Sequence, residues 1–272
     1  MRKKSGLTRI DAVVALACVA LVLAQVGIIN AGGRERSKRE LCLANLRMLT
    51  AAWKAYADDN AGKLVNGGQS PSSNPAPTEP YWCTSFNTPA DPGYDWDWNA
   101  AFGAPVLNFE QRVEKLKKGA LYKYCQDVIV FRCPEADKDM HRTYVMPTPM
   151  NAAWTMAGGL LGVPGYPINK VAKNTGQIAR PNERIVFLEE KILTPDAFEF
   201  PIDFPSDPLC DALSIVHGNG INFGFADGHA EYHQWECQST ITWASGGNPP
   251  PGPDTCFQTK DQAWLRNAIW GE

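Results

Sequence analysis

Residues 1–33 read MRKKSGLTRIDAVVALACVALVLAQVGIINAGG, and the fold turns on what this stretch becomes. From Ala12 to Ile29 the run is almost unbroken in its apolarity, roughly 18 residues, which at about 1.5 Å per residue nearly crosses a hydrocarbon layer about 30 Å thick. Arg2, Lys3 and Lys4 precede it. The positive-inside bias keeps Met1 cytoplasmic and sends everything beyond Gly32 outward, so the expectation is a single-pass inner-membrane segment. Asp11 stands at the mouth of the run, where a carboxylate costs several kcal/mol unless a cation meets it.

Three fates compete for this segment. A general secretory signal would be cut near Ile29-Asn30-Ala31, leaving Asp11 unexplained. A lipoprotein signal would use Cys18, although the apolar run continues well past it. The third fate is cleavage between Gly6 and Leu7, which leaves the helix on the finished chain.

The amphipathic continuation favours a long helix. From Arg34 to Asn60 there is no proline, and Cys42, Leu46, Leu49, Trp53 and Tyr56 recur in steps of three and four, one stripe of a helix. Gly32-Gly33 between the two halves predicts a kink or a locally melted turn, because glycine costs about 1 kcal/mol in a helix interior. Treated as nearly continuous, residues 8–60 make a rod of roughly 78 Å. Residues 1–60 carry ten Lys and Arg against five Asp and Glu, and residues 61–272 carry 16 against 24, so +5 and −8 sum to the net charge of −3. A basic stalk with an acidic head favours packing between copies and argues against nucleic acid as a partner of the head.

Gly6-Leu7-Thr8-Arg9-Ile10-Asp11 followed by the apolar run resembles the processing site of type IV pilins and type II secretion pseudopilins. The resemblance implies that a prepilin peptidase cuts after Gly6 and methylates Leu7. It also implies that Asp11 pairs with a Leu7 ammonium, its own or a neighbour's, when helices pack in a filament. This chain has Leu7 where phenylalanine is common and Asp11 where glutamate is common.

About 210 residues remain for the head, enough for one sizeable core. Residues 66–105 are rich in Pro, Gly, Ser and Asn with interspersed aromatics, and read as a long ordered excursion. Within it, Asp95, Asp97 and Asn99 offer alternating oxygen ligands for calcium, without the glycine and closing glutamate of a twelve-residue loop. Residues 109–124 read as a short helix with Val113, Leu116, Ala120 and Leu121 inward. Runs at Ile185–Leu188, Leu213–Val216, Ile221–Ala226 and Ala230–Trp235 predict an antiparallel meander, with Asp227-Gly228 as a type I′ hairpin turn.

A second signature lies in that meander. His217, nine intervening residues, then Asp227-Gly228 resembles the H-x9-D-G motif near the C-terminus of a large group of prepilin-like proteins. Tyr56-Ala-Asp-Asp-Asn60, Phe131-Arg-Cys-Pro134 and Arg142-Thr-Tyr144 are similar to upstream pieces of the same group. His229, Glu231 and His233 alternate along one strand face, and with His217 and Asp227 nearby they are a candidate metal set; a polar strand face with a capping histidine accounts for the same residues. No Gly-x-Ser-x-Gly elbow, His-Glu-x-x-His, phosphate loop or Rossmann fingerprint occurs, which disfavours an enzyme.

Eight cysteines in a chain read as exported point to an oxidising compartment. Cys125 with Cys133 and Cys237 with Cys256 bracket short loops and are the preferred pairs. Cys42, Cys83 and Cys210 are then left with one odd thiol, and some are simply buried small apolar residues.

The expectation is therefore an α+β, pilin-like protein. It has a leader (1–6), a membrane and filament-core helix (7–31), an amphipathic half (32–60) and a head on an antiparallel sheet with long loops (61–272). It would be a non-enzymatic filament subunit without a cofactor, in the inner membrane as a precursor and periplasmic or extracellular once assembled. Its partners would be copies of itself, prepilin peptidase, the inner-membrane assembly machinery and lipid. The rivals are a tethered or secreted binding module, for which nine tryptophans suit glycans, and a metal-dependent exported enzyme using His217, Asp227, His229 and His233.

Overall fold

The computed structural model describes residues 9–68, 79–83, 108–136, 140–152, 168–190, 197–200, 211, 213–246 and 254–271, with side chains described from residue 33 onward. The chain divides into two compact units, Met1–Glu40 and Leu41–Glu272.

Helix α1, Arg9–Asp59, belongs to both. It runs through Gly32 and Gly33 as one helix, with no melted turn there. The Ser37 hydroxyl donates to the Gly33 carbonyl at 2.8 Å in the turn that follows. Residues 33–38 are exposed. The membrane reading is corrected here: among the described residues no helix is long and apolar enough to cross a membrane. The described part of α1 carries Arg34, Glu35, Arg36, Lys38, Arg39, Glu40, Arg47, Lys54, Asp58 and Asp59, and a hydrocarbon layer accommodates so many charges only at great cost. Neither the membrane span in the expected fold class nor the single-pass inner-membrane placement is upheld. The side chains of residues 12–29, like Gly6, Leu7 and the Asp11 carboxylate, lie outside the described residues.

In the second unit the stripe of α1 becomes core. Cys42, Leu46, Leu49, Trp53 and Tyr56 are buried, and Leu43, Ala52 and Ala57 widen the face. A four-stranded antiparallel sheet lies against it in the order β1 (Tyr144–Val145), β2 (Ile185–Glu189), β3 (Gly220–Phe225) and β4 (Ala230–Gln234). The α1 side of the core includes Val186 and Phe187. The other side gathers Ile185, Leu188, Ile221, Phe223 and Phe225 with Trp243, Leu265 and Ile269 from the C-terminal helices α4 (Gln238–Ala244), α5 (Thr255–Thr259) and α6 (Asp261–Trp270), numbered after α2 and α3 below. A register irregularity between Ile185 and Phe187 lets adjacent Val186 and Phe187 face the same layer. Both faces being covered, β2 and β3 are buried throughout, so they read in sequence as continuous apolar runs.

Three local expectations change. Residues 213–216 form no strand; Leu213 is buried all the same, and the Ser214 carbonyl accepts the Trp235 indole N–H at 3.2 Å. The sheet's fourth strand is Tyr144–Val145 instead, paired with β2. The helix expected over 109–124 is two, α2 (Phe109–Leu116), opened by a capping box of Asn108 and Gln111, and α3 (Tyr122–Cys125). The break comes where the Ala120 and Leu121 amides turn to the Tyr81 and Trp82 carbonyls, at 3.0 and 3.2 Å, and leave the helix ladder. The Asp227-Gly228 turn is not type I′, because only Gly228 has positive φ, +107°. Gly228 N–H closes onto the Phe225 carbonyl at 2.9 Å, and Phe225 N–H onto the His229 carbonyl at 2.9 Å, a turn followed by a left-handed glycine, the longer hairpin connection.

Cys237 and Cys256 are joined, S–S 2.06 Å, linking the start of α4 to α5. Cys125 and Cys133 are not. The Cys125 thiol donates to the Leu121 carbonyl at 3.5 Å, while Cys133 turns into the core toward α1. Cys18 and Cys210 lie outside the residues whose side chains are described.

His141 supplies a pH test of this core. Burial, with Arg142 and Arg112 adding to it, depresses its pKa from the ordinary 6.5 to about 3. The folded state therefore binds fewer protons than the unfolded chain. Stability is full above about pH 6.5 and falls as pH drops toward 3, by at most about 1.4 kcal/mol per pH unit. His141→Gln is expected to flatten denaturation midpoints between pH 6.5 and 4, and an unchanged acid slope contradicts the assignment.

Candidate functional site

Four segments far apart in sequence converge behind β2. Cys42 opens the buried stripe of α1 and is fully inaccessible. Cys133 follows a short 3-10 turn at Val128–Phe131, with its amide donated to the Thr143 hydroxyl at 2.7 Å. Glu189 ends β2 opposite Tyr144, and its Oε2 accepts the Asn222 amide of β3 at 3.1 Å. His217 precedes β3 in a loop closed by Val216 and His217 amides on the Gly220 carbonyl, both 3.3 Å, with Gly218 at φ +69°. The pleat explains the Glu189 placement: a strand buried on both faces has no solvent side to offer its last carboxylate.

The contacts among these side chains are short. Cys42 Sγ lies 3.2 Å from Glu189 Oε1 and 3.1 Å from the Tyr144 hydroxyl. His217 Nε2 lies 3.3 Å from Cys133 Sγ and 3.4 Å from Glu189 Oε1. One donor atom from each of Cys42, Cys133, Glu189 and His217 falls within 4.8 Å of every other, and all four residues are buried. Among the described residues this is the one such group of His, Cys, Asp and Glu.

Their charges are strongly coupled. Burial alone lowers the His217 pKa, but hydrogen bonds and charge from Cys42 and Glu189 outweigh it and push it up to about 10. Burial raises the Cys42 thiol, yet hydrogen bonds from Cys133, His217 and Tyr144 win and hold it below the ordinary thiol value despite Glu189. Cys133 moves the other way, raised by its bond to Cys42 and by burial.

A thiol, an imidazole and a carboxylate together invite comparison with a nucleophile, base and orienting acid. That relay needs the acid on one ring nitrogen and the thiol on the other. Here the thiol and carboxylate both meet Nε2. The arrangement converges on a point and does not pass a proton along a line. A cleft of about 460 Å³ opens beside it, lined by Cys133, Glu135, Thr143, Glu189, Glu190 and Ser214 among others.

The two ends of the H-x9-D-G motif part company spatially, yet both meet α1. His217 joins Cys42 in the cluster. Asp227 and Gly228 form the exposed hairpin turn, where Lys54 Nζ donates to the Asp227 carbonyl at 2.6 Å and the Thr50 hydroxyl to the Gly228 carbonyl at 3.4 Å. His229 Nδ1 lies 2.6 Å from Asp227 Oδ1 and His229 Nε2 is 3.9 Å from Glu231, a surface arrangement. His233 instead stacks on Trp264, ring centroids 3.7 Å apart, with burial lowering its pKa. His217, Asp227, His229, Glu231 and His233 therefore do not form one site. Asp95, Asp97 and Asn99, with most of the aromatic excursion at 66–105, lie outside the described residues.

In sequence Cys42 reads as part of the helix stripe and Cys133 as half of a disulfide, and Glu189 carries no signal of its own. A usable signal was present: Phe131-Arg-Cys-Pro134, Arg142-Thr-Tyr144 and His217 were each singled out, and all three bring residues to this cluster. Comparisons with protein-family models, curated proteins and solved structures find no match.

Proposed function

We propose that this chain is a structural subunit of the prepilin-like class that assembles with its own copies through the N-terminal part of α1, and that it is not an enzyme. The observation carrying this reading is how α1 is divided. One helix, Arg9–Asp59, has its Cys42–Tyr56 stripe built into the head core, whereas residues 33–38 are exposed. The sequence ahead of them is apolar from Ala12 to Ile29. Such a stretch gains free energy by leaving water, and packing against the same stretch of other copies achieves this. Asp11 then fixes register by meeting a Leu7 ammonium, the pairing that the resemblance implies once residues 1–6 are removed.

The enzyme rival rested on His217, Asp227, His229 and His233 acting together, and their separation in the fold supports a structural role for the head. Stranding one charge of a buried pair costs about 3–5 kcal/mol, on the order of a hundredfold or more per contact. In sedimentation velocity, the chain beginning at Leu7 is expected to form concentration-dependent assemblies that Asp11→Ala abolishes and Asp11→Glu restores. A chain that is monomeric throughout, or an Asp11→Ala variant that assembles as well as the unsubstituted chain, contradicts the proposal.

A further inference from the structure

We infer that Cys42, Cys133, Glu189 and His217 bind a divalent transition metal of the zinc class, a site that cross-links α1 to the sheet. Four arguments carry it, none depending on assembly.

Geometry comes first. A tetrahedral zinc ion with sulfur ligands at about 2.3 Å and nitrogen or oxygen ligands at about 2.0–2.2 Å sets its ligand atoms about 3.3–3.8 Å from one another. Cys42 to Glu189, Cys133 to His217 and His217 to Glu189 stand at 3.2, 3.3 and 3.4 Å. Three of the six edges thus already stand near the lengths of that tetrahedron, and every other pair of donor atoms lies within 4.8 Å.

Donor chemistry comes second. Two thiols, an imidazole and a carboxylate suit a borderline ion; the sulfurs disfavour magnesium and calcium, and the carboxylate disfavours copper(I). Four protein donors close a tetrahedral shell, the pattern of a structural site.

The third argument is the outer shell. Metal ligands are held by further hydrogen bonds, and here Tyr144 hydroxyl lies on Cys42 Sγ at 3.1 Å, Asn222 amide on Glu189 Oε2 at 3.1 Å, and Glu135 amide on Cys133 Sγ at 3.4 Å. Three of the four ligands thus have an oriented partner that does not compete for the central point.

Access is the fourth. The cleft reaches Cys133 and Glu189 and carries Glu135 and Glu190 on its wall, an acidic approach for a cation. As the ion enters, thiol and imidazole protons leave to solvent and the four lone pairs bind the metal. Because the donors come from α1, the loop after Val128–Phe131, β2 and the loop before β3, the ion would tie together the elements that define the head.

The test uses the full chain, purified under reducing conditions. Elemental analysis is expected to find close to one zinc per chain, and replacement by cobalt(II) is expected to give the intense visible bands of a tetrahedral ion with sulfur-to-cobalt charge transfer. Competition against a coloured chelator should show affinity falling on the order of 100-fold or more for Cys133→Ser and His217→Gln, and about 10-fold for Tyr144→Phe, since outer-shell losses run at roughly 10–100-fold. Cys125→Ser, outside the cluster, should bind as the unsubstituted chain does. The cobalt spectrum of the unsubstituted chain decides the matter even if a variant fails to fold. Absence of metal with no sulfur-to-cobalt band, or intact mass showing Cys42 joined to Cys133 in the reduced preparation, overturns the inference.

Discussion

Gly220→Ala is expected to be the most damaging alanine replacement among the described glycines, lowering stability by about 3 kcal/mol or more. Gly220 opens β3 opposite Gln234 of β4. A Cβ there would overlap the His233 carbonyl oxygen and stand 2.8 Å from the Tyr232 hydroxyl and 2.9 Å from the Gln234 Cα. Two of those three obstacles are backbone or Cα atoms of the paired strand, so relief requires the strands to part and not a rotamer to turn. Gly220 also supplies the carbonyl that holds the Val216 and His217 amides. Parting β3 from β4 therefore displaces His217 from Cys133 and Glu189 as well. Chemical denaturation should show the lowered midpoint, and tryptophan emission should report exposure of Trp235, which packs against Phe223 at 6.2 Å between ring centroids. A variant within about 1 kcal/mol of the unsubstituted chain contradicts the packing described.

Asp261→Ala should cost about 3–5 kcal/mol, through buried polar groups left without a partner. Asp261 is 1% exposed. Its carboxylate accepts the Glu236 amide at 3.0 Å, the Cys237 amide at 3.1 Å and the Thr240 hydroxyl. One side chain from the first turn of α6 thereby anchors the two residues that lead into α4 and the Thr240 hydroxyl within it, where Cys237 at the N-cap makes no side-chain bond. Alanine leaves the buried Cys237 amide and Thr240 hydroxyl, and the half-buried Glu236 amide, without this acceptor. Asp261→Asn keeps one acceptor oxygen and the same shape, so it should recover part of the loss. Equal stability of both variants with the unsubstituted chain contradicts the anchoring role.

Periodicity and turn chemistry made much of the head legible. The spacing of Cys42, Leu46, Leu49, Trp53 and Tyr56 gave the core face of α1, because a helix can bury only residues that recur every three or four positions. Apolar runs bounded by His217-Gly-Asn-Gly220 and Asp227-Gly228 placed β2, β3 and β4 within a residue or so. The strand Tyr144–Val145 was invisible, since two residues carry no period and their pairing with β2 is a tertiary fact. Leu213–Val216 looked like a strand because burial selects the same residue types whether or not the backbone pairs. The membrane reading of residues 7–31 is not upheld, because among the described residues no helix is long and apolar enough to cross a membrane.

The cluster was legible in pieces and not as a whole. His217, Cys133 and Tyr144 each stood in a recognised motif fragment, yet Cys42 doubled as an ordinary member of an apolar stripe and Glu189 as the polar end of a strand. A helix and a strand end 147 positions apart bring Cys42 and Glu189 to contact. No local pattern encodes a meeting at that separation, and spacing favoured the shorter Cys125 to Cys133 loop for the same reason.

The account as a whole depends on α1 serving the head with one half and other copies with the other. Electron microscopy with helical reconstruction, on assemblies formed by the chain beginning at Leu7, tests this most directly. The account predicts α1 helices packed against one another over residues 12–29, with Asp11 at a repeated axial step. Dispersed single molecules, or assemblies joined only through heads with residues 12–29 making no contact between copies, would contradict it.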